Sequence, residues 1–292
     1  MRWKGREQSS NVEDRRGMSP KMAMGGGGGL LAIIVMLLLK FAGAPPAAQQ
    51  MAGNLVNKVQ QQNAAPAEVG DGIQDESREL ISVVLHDTET VWSKLFDEQI
   101  TGASYKAPKL VIFDGTTPTA CGTGQAAMGP FYCPGDQMVY IDPTFFDDLA
   151  RRHHAPGDFA QAYVIAHEVA HHVQNLLPYS RMANQMRASG DERLANQGSV
   201  RLELQADFLA GVWAHYAHKE FGILEEGDME EAITAANQIG DDTLQKQATG
   251  YVQPERFTHG TSAQRVRWFK RGLLSGKLKD CEQLFEIDYD SL

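Results

Sequence analysis

Leu80, Val84, Val91 and Leu95 recur at helical spacing, and Ile81, Trp92 and Phe96 widen the same face. The stripe predicts an amphipathic helix opening near Glu76. Leu110-Val111-Ile112-Phe113 is a short apolar run ended by Asp114-Gly115, the pattern of a strand and turn, and Gln137 to Asp142 reads as a second strand. Between them, Cys121 to Cys133 holds too many glycines for a helix and predicts an irregular strand or edge. Its stretch from Gly122 to Phe131 offers an extended peptide a strand edge to pair with. From Pro143 onward the signals are almost all helical. Ala162, Ile165, Ala166, Val169, Val173 and Leu176 form one face of a helix over Gln161 to Leu177, and Arg201 to Tyr216 forms a second apolar helix. No internal repeat is present. The layout is α+β, a small sheet packed on a helical bundle.

The first 75 residues follow a different pattern. Leu30 to Leu39 is continuously apolar and reaches membrane-spanning length only when extended to 25–44, with Lys40 able to snorkel near its end. Residues 1–24 carry six Lys/Arg against three acids, a balance of +3, which leaves -13 for the rest of a chain whose net charge is -10. A basic head before an apolar run predicts a cytoplasmic tail over 1–24 and a transmembrane anchor over 25–44. Ala42-Gly43-Ala44 resembles a signal cleavage site, but Pro45 and Pro46 follow it and favour an uncleaved anchor. Residues 45–75, rich in Pro, Ala, Gln and Asn, read as a linker, leaving 76–292 as the folded domain outside the cytoplasm. The acidic balance argues against nucleic acid as a partner. The three cysteines suit export. Cys121 and Cys133 can close a short disulfide loop that leaves Cys281 over, although the sequence does not fix which two of the three pair.

The chemistry concentrates on the two apolar helices. His167 and His171 lie one turn apart on one face, and Glu168 follows the first, giving His-Glu-x-x-His. Two imidazoles at that spacing can converge on one zinc ion, with Glu168 as the base for a water molecule. Glu203 and Asp207 sit four residues apart on the second helix. Two acids on so apolar a stripe repel one another unless a cation or imidazolium faces them, which makes Glu203 the third zinc ligand and Asp207 the acceptor that orients a ligand histidine. Asp191, Glu192 and Glu220 are weaker competitors: the first two lie in a loop-like Ser-Gly-Asp-Glu segment, and none of the three has an acid four residues on.

HEVAHH at 167–172, LELQAD at 202–207, THGTSAQRVRWF at 258–269 and the 121–142 block resemble the bacterial neutral zinc metallopeptidases, a membrane-anchored family with a gluzincin-like site. The resemblance covers most of 76–292 and the anchor. It implies a zincin-like domain with zinc ligands His167, His171 and Glu203, catalytic Glu168, a peptide or protein substrate, and a periplasmic location at the inner membrane. His259 is the candidate oxyanion donor beside zinc, with Tyr179 a second. Thr261 or Ser262 starts a helix whose Arg265 can pair with Asp207. His172 reads as a packing or hydrogen-bonding neighbour, and His153 and His154 as solvated residues at a helix end. The rival reading is a non-catalytic, membrane-tethered module whose zinc merely joins two helices.

Overall fold

A computed structural model of the 292-residue chain describes residues 1–17 and 75–292. The anchor expected over 25–44, and all but Asp75 of the linker expected over 45–75, lie outside the described residues. Among the described residues no helix is long and apolar enough to cross a membrane.

The predicted first helix is α1, Glu76–Gln99, capped by the Asp75 side chain, which accepts from the Arg78 amide. Its apolar stripe is buried, as the spacing requires. The two predicted strands appear as β2, Lys109–Ile112, and β6, Met138–Ile141, paired in parallel with Leu110 opposite Val139. The segment between them forms a separate hairpin of β3, Thr116–Thr119, and β4, Gly122–Gln125, followed by β5, Phe131–Cys133, antiparallel to β6. Within the stretch Gly122 to Phe131, Gly122–Gln125 pairs with β3 on one side only, and Phe131 opens β5, an edge strand of the four-stranded sheet. Gly124 lets the hairpin close over β5, since a Cβ there would lie 2.5 Å from the Phe131 ring. A Cys121–Cys133 disulfide ties hairpin to edge, and Cys281 is a buried free thiol.

Residues 1–17 depart from the expected tail. They are built into the fold. Val12–Asp14 is strand β1, parallel to β2, so the four-stranded sheet runs β1-β2-β6-β5. Trp3 is buried, and its indole N–H donates to Asp158 at 2.8 Å. Arg6 forks onto the fully buried Asp87 of α1 at 2.6 and 2.8 Å. Burial pushes the Asp87 carboxyl up to about 6 against the pull of Arg6, so this acid depends on its partner. Arg16 joins Asp14 to Asp75 at 2.6 Å each, closing the point where the chain leaves and re-enters the described fold. The folded domain is thus 1–17 with 75–292. The basic composition looked like a tail because its arginines pair with acids far away in sequence, which composition does not reveal.

Six further elements pack as helices: α2, Thr144–Arg151; α3, Asp158–Leu176; α4, Tyr179–Arg187; α5, Glu192–Phe221; α6, Asp228–Gln238; and α7, Asp241–Thr249. The last long helix is α8, Ser262–Ser275; of the two starts the sequence offered, Thr261 is the cap, and it forms a capping box with Gln264. Helix α5 begins well before the predicted Arg201. Asp191 is its cap, accepting from the amides of Arg193 and Leu194, and Glu192 is its first residue. Those first turns lack an apolar stripe and gave no periodic signal. Helices α5 and α8 meet backbone to backbone: a Cβ on Gly211 would lie 2.2 Å from the Phe269 carbonyl oxygen, and one on Gly272 2.0 Å from that of Phe208.

Two outcomes test this description. Trp3→Ala should cost about 3–5 kcal/mol in urea unfolding of the full chain, whereas a detached tail would leave stability unchanged. Burial pushes the Cys281 thiol up to about 12, so Ellman's reagent should find no reactive thiol in the native protein and one after unfolding without reductant.

Candidate metal centre

Helix α3 carries His167, Glu168 and His171, and α5 crosses it with Glu203 and Asp207. The two His rings stand edge to face with centroids 4.8 Å apart. Glu203 Oε2 lies 3.2 Å from His167 Nε2 and 3.5 Å from His171 Nε2. One donor atom from each of the three residues falls within 4.8 Å of the others, a set able to hold a metal ion. Glu168 is buried to 8 % exposure and lines a cleft of about 860 Å³ that the same three residues also line.

Hydrogen bonds at the two Nδ1 atoms fix which nitrogens face the centre. His167 Nδ1 is 2.8 Å from Asp207 Oδ1, leaving Nε2 directed at Glu203. His171 Nδ1 is 2.9 Å from Gln174 Oε1. The Gln174 amide nitrogen donates to the Leu202 carbonyl at 2.7 Å and to Gln205 at 3.0 Å, so its oxygen is left to accept the His171 N–H. Both imidazoles are thereby held with Nε2 toward the shared space, the tautomer a metal ligand needs. Gln174 escaped the sequence reading. A neutral amide in an apolar helix carries no charge signal, though its position three residues after His171 placed it on the right face.

Asp207 is fully buried and makes four hydrogen bonds to three partners. Arg265 Nε and Nη2 reach its two oxygens at 2.9 and 3.0 Å, Tyr163 donates its hydroxyl at 2.6 Å, and His167 completes the set. The predicted Arg265–Asp207 pair is present. Burial alone would raise the Asp207 pKa, but the charges of Arg265 and His167 hold it down at about 2. Burial alone would lower that of His167, yet the Asp207 charge and the hydrogen bonds that His167 donates to Asp207 and Glu203 push it up to about 9. Glu203 is held well below the usual carboxylate range despite burial, chiefly by His171 and His167. Arg265 answers the charge of Asp207, and the Glu203 carboxylate faces the two imidazoles. Two imidazole nitrogens, deprotonated when a metal binds, and one carboxylate suit zinc, with room for a fourth ligand from the cleft.

The remaining candidates divide. His259 lines the cleft, half-exposed, with Nδ1 3.1 Å from Asp241 Oδ1. Asp241 Oδ2 also accepts the amides of Thr258, His259 and Gly260 at 2.6, 2.6 and 3.1 Å, pinning the loop before α8. The Asp241 hydrogen bond and the Glu203 charge raise the His259 pKa against burial. Tyr179 does not reach the cleft; it is buried with its hydroxyl against Cys281. His172 is a hydrogen-bonding neighbour, as expected, and His153 lines the cleft rather than facing only solvent. Of the rejected acids, Asp191 caps α5 and Glu220 pairs with Lys94 at the surface. Removing Arg265 should leave Asp207 uncompensated: Arg265→Ala is expected to cost about 3–5 kcal/mol in chemical unfolding, with part of the loss recovered when Asp207→Asn is added.

The family profile described as "Putative neutral zinc metallopeptidase" matches residues 1–284. The chain is 46% identical to the uncharacterized protein YpfJ of Escherichia coli over 284 residues, 96% of this chain and 98% of that one. It is 39% identical to the uncharacterized protein Rv2575 of Mycobacterium tuberculosis over 213 residues, 70% of this chain and 69% of that one. No solved structure matches it. The profile begins at residue 1 and takes in β1, both site helices and α8, and on that match the chain belongs to the Putative neutral zinc metallopeptidase family.

Proposed function

We propose that this protein hydrolyses peptide bonds with one zinc ion held by His167, His171 and Glu203, and that Glu168 is the general base. The observation that carries the reading is the position of Glu168. It is buried beside a three-donor centre and lines the cleft, and among the described residues its carboxylate has no hydrogen bond or ion pair to occupy it. A structural zinc site ordinarily fills its four positions with protein ligands and has no use for such a carboxylate. Bound zinc supplies Lewis acidity and lowers the pKa of water toward about 7. Glu168 then takes a proton from the attacking water and delivers it to the departing amine nitrogen. His259, its Nδ1 held by Asp241, presents its other nitrogen to the cleft as a donor for the oxyanion. The edge strand β5, with Phe131 and Tyr132 on the cleft, is a template on which an extended peptide can pair. The zincin-like description of the domain rests on this arrangement and on the family.

The proposed location is the outer face of a bacterial inner membrane, supported by the Cys121–Cys133 disulfide, a bond that persists in oxidising compartments. Pairing of β1 with β2 requires residues 1–17 to share that side.

The zinc content of the purified full chain and its cleavage of fluorescently labelled casein test the assignment. Wild type should hold one zinc per chain, and Glu203→Ala should lower zinc affinity at least tenfold. Glu168→Gln should keep the zinc and lose about 10²-fold or more in kcat. Undiminished cleavage by that variant would remove Glu168 as the base, and wild-type protein that holds zinc without cleaving would favour the structural-zinc reading.

A further inference from the structure

The third histidine of the HEVAHH run takes no part in the centre, yet it is buried and both of its nitrogens are engaged. His172 Nε2 lies 2.7 Å from the Lys106 carbonyl oxygen, and Nδ1 lies 3.1 Å from the Tyr132 hydroxyl. The same hydroxyl is 3.2 Å from the Asn175 side-chain nitrogen. Tyr132 is the middle residue of edge strand β5, and Asn175 lies one turn beyond His171 on α3. The network therefore bridges the cleft's sheet wall to its helical floor.

Counting protons gives this chain of bonds a direction. A carbonyl oxygen only accepts, so His172 carries its proton on Nε2. The Asn175 side-chain nitrogen donates to the Tyr132 hydroxyl oxygen, and that hydroxyl's own proton is directed at His172 Nδ1, the ring nitrogen not bonded to the carbonyl. The Asn175 amide nitrogen is thus turned toward Tyr132, and its carbonyl oxygen points the other way. Among the described residues that oxygen has no hydrogen-bond partner. Asn175 lines the cleft, and its Cα is about 6 Å along the helix from that of His171 at 1.5 Å per residue. A hydrogen-bond acceptor held at that distance from a hydrolytic centre matches the amide N–H of a residue adjoining the scissile bond.

Resting on the peptidase reading, we infer that Asn175 is a substrate-binding residue whose side-chain oxygen accepts a backbone N–H of the bound peptide, with Tyr132 and His172 as positioning residues that fix its amide orientation. The contact reads peptide backbone and not side chains. It anchors the register of an extended chain without selecting a sequence.

The inference is tested on the zinc-loaded full chain with two inhibitors, acetohydroxamate, which meets only the metal, and acetyl-dialanyl hydroxamate, which adds backbone N–H groups. Binding is measured by calorimetry. Asn175→Ala should weaken the peptidyl compound about tenfold and leave acetohydroxamate unchanged, the effect of one lost hydrogen bond. Tyr132→Phe should weaken the peptidyl compound about threefold by freeing the amide, and should add nothing in the Asn175→Ala background. Methylating in turn each backbone nitrogen of the peptidyl compound should yield one analogue whose affinity is indifferent to Asn175→Ala. Unchanged peptidyl affinity in Asn175→Ala, or an equal loss for both inhibitors, overturns the inference alone. A wild-type protein that loads zinc yet binds neither inhibitor overturns the open-site reading beneath it.

Discussion

Asp207 is a carboxylate of α5 with no access to water, placed where α3 and α8 meet that helix, and those two helices supply what keeps it charged. An isolated buried carboxylate would cost several kcal/mol to ionise. Arg265 offsets that cost with a two-pronged bond, and Tyr163 and His167 satisfy the remaining lone pairs. The same contacts locate the helices relative to one another, because a bidentate pair tolerates little displacement. Orientation of His167 follows from this, since its ring is aimed by whatever fixes Asp207. Its neighbour His171 is aimed by Gln174 through a wholly neutral network that runs on to Gln205 and the Cys281 carbonyl. One ligand is thus tied to an ionic cluster and the other to an uncharged one, which confines strong electrostatics to a single side of the centre.

The crossing of α5 and α8 makes the Asp207–Arg265 contact possible. Gly211 lies one turn after Asp207, and Gly272 seven residues after Arg265, and at these two positions each backbone fits against the other. A methyl group at either glycine would force the helices apart close to the acid that orients His167. Backbone proximity, charge pairing and ligand orientation are therefore one arrangement seen at three levels.

Much of this was legible in the chain because it is written in local periodicity. His167, Glu168 and His171 lie within one helical turn or so, Glu203 and Asp207 repeat that spacing on a second helix, and an Arg in an apolar helix implied a buried acid. The small sheet followed by helices was readable on the same grounds. What was not legible depends on distant pairing. Nothing local in Arg6 or Arg16 announces Asp87 or Asp75, and so a segment integral to the sheet looked like a basic tail. Gln174, Asp241 and the Tyr132–His172–Asn175 network were hidden similarly, since uncharged or ordinary residues acquire their roles only from what the fold brings beside them. The start of α5 was obscured for another reason: its first turns are set by the Asp191 cap and lack an apolar stripe.

The parallel pairing of β1 with β2 carries a consequence for the order of events in biosynthesis. Val12–Asp14 leaves the ribosome almost a hundred residues ahead of its partner Lys109–Ile112, and Trp3 precedes Asp158 by more than that. Contacts of such high sequence separation form late, because the entropy of closing the long loop must be overcome first. This segment is thus made well before it can be seated. Until its partners have emerged it remains an unpaired strand with an exposed tryptophan, the kind of segment that chaperones shield until the rest of the sheet exists to receive it.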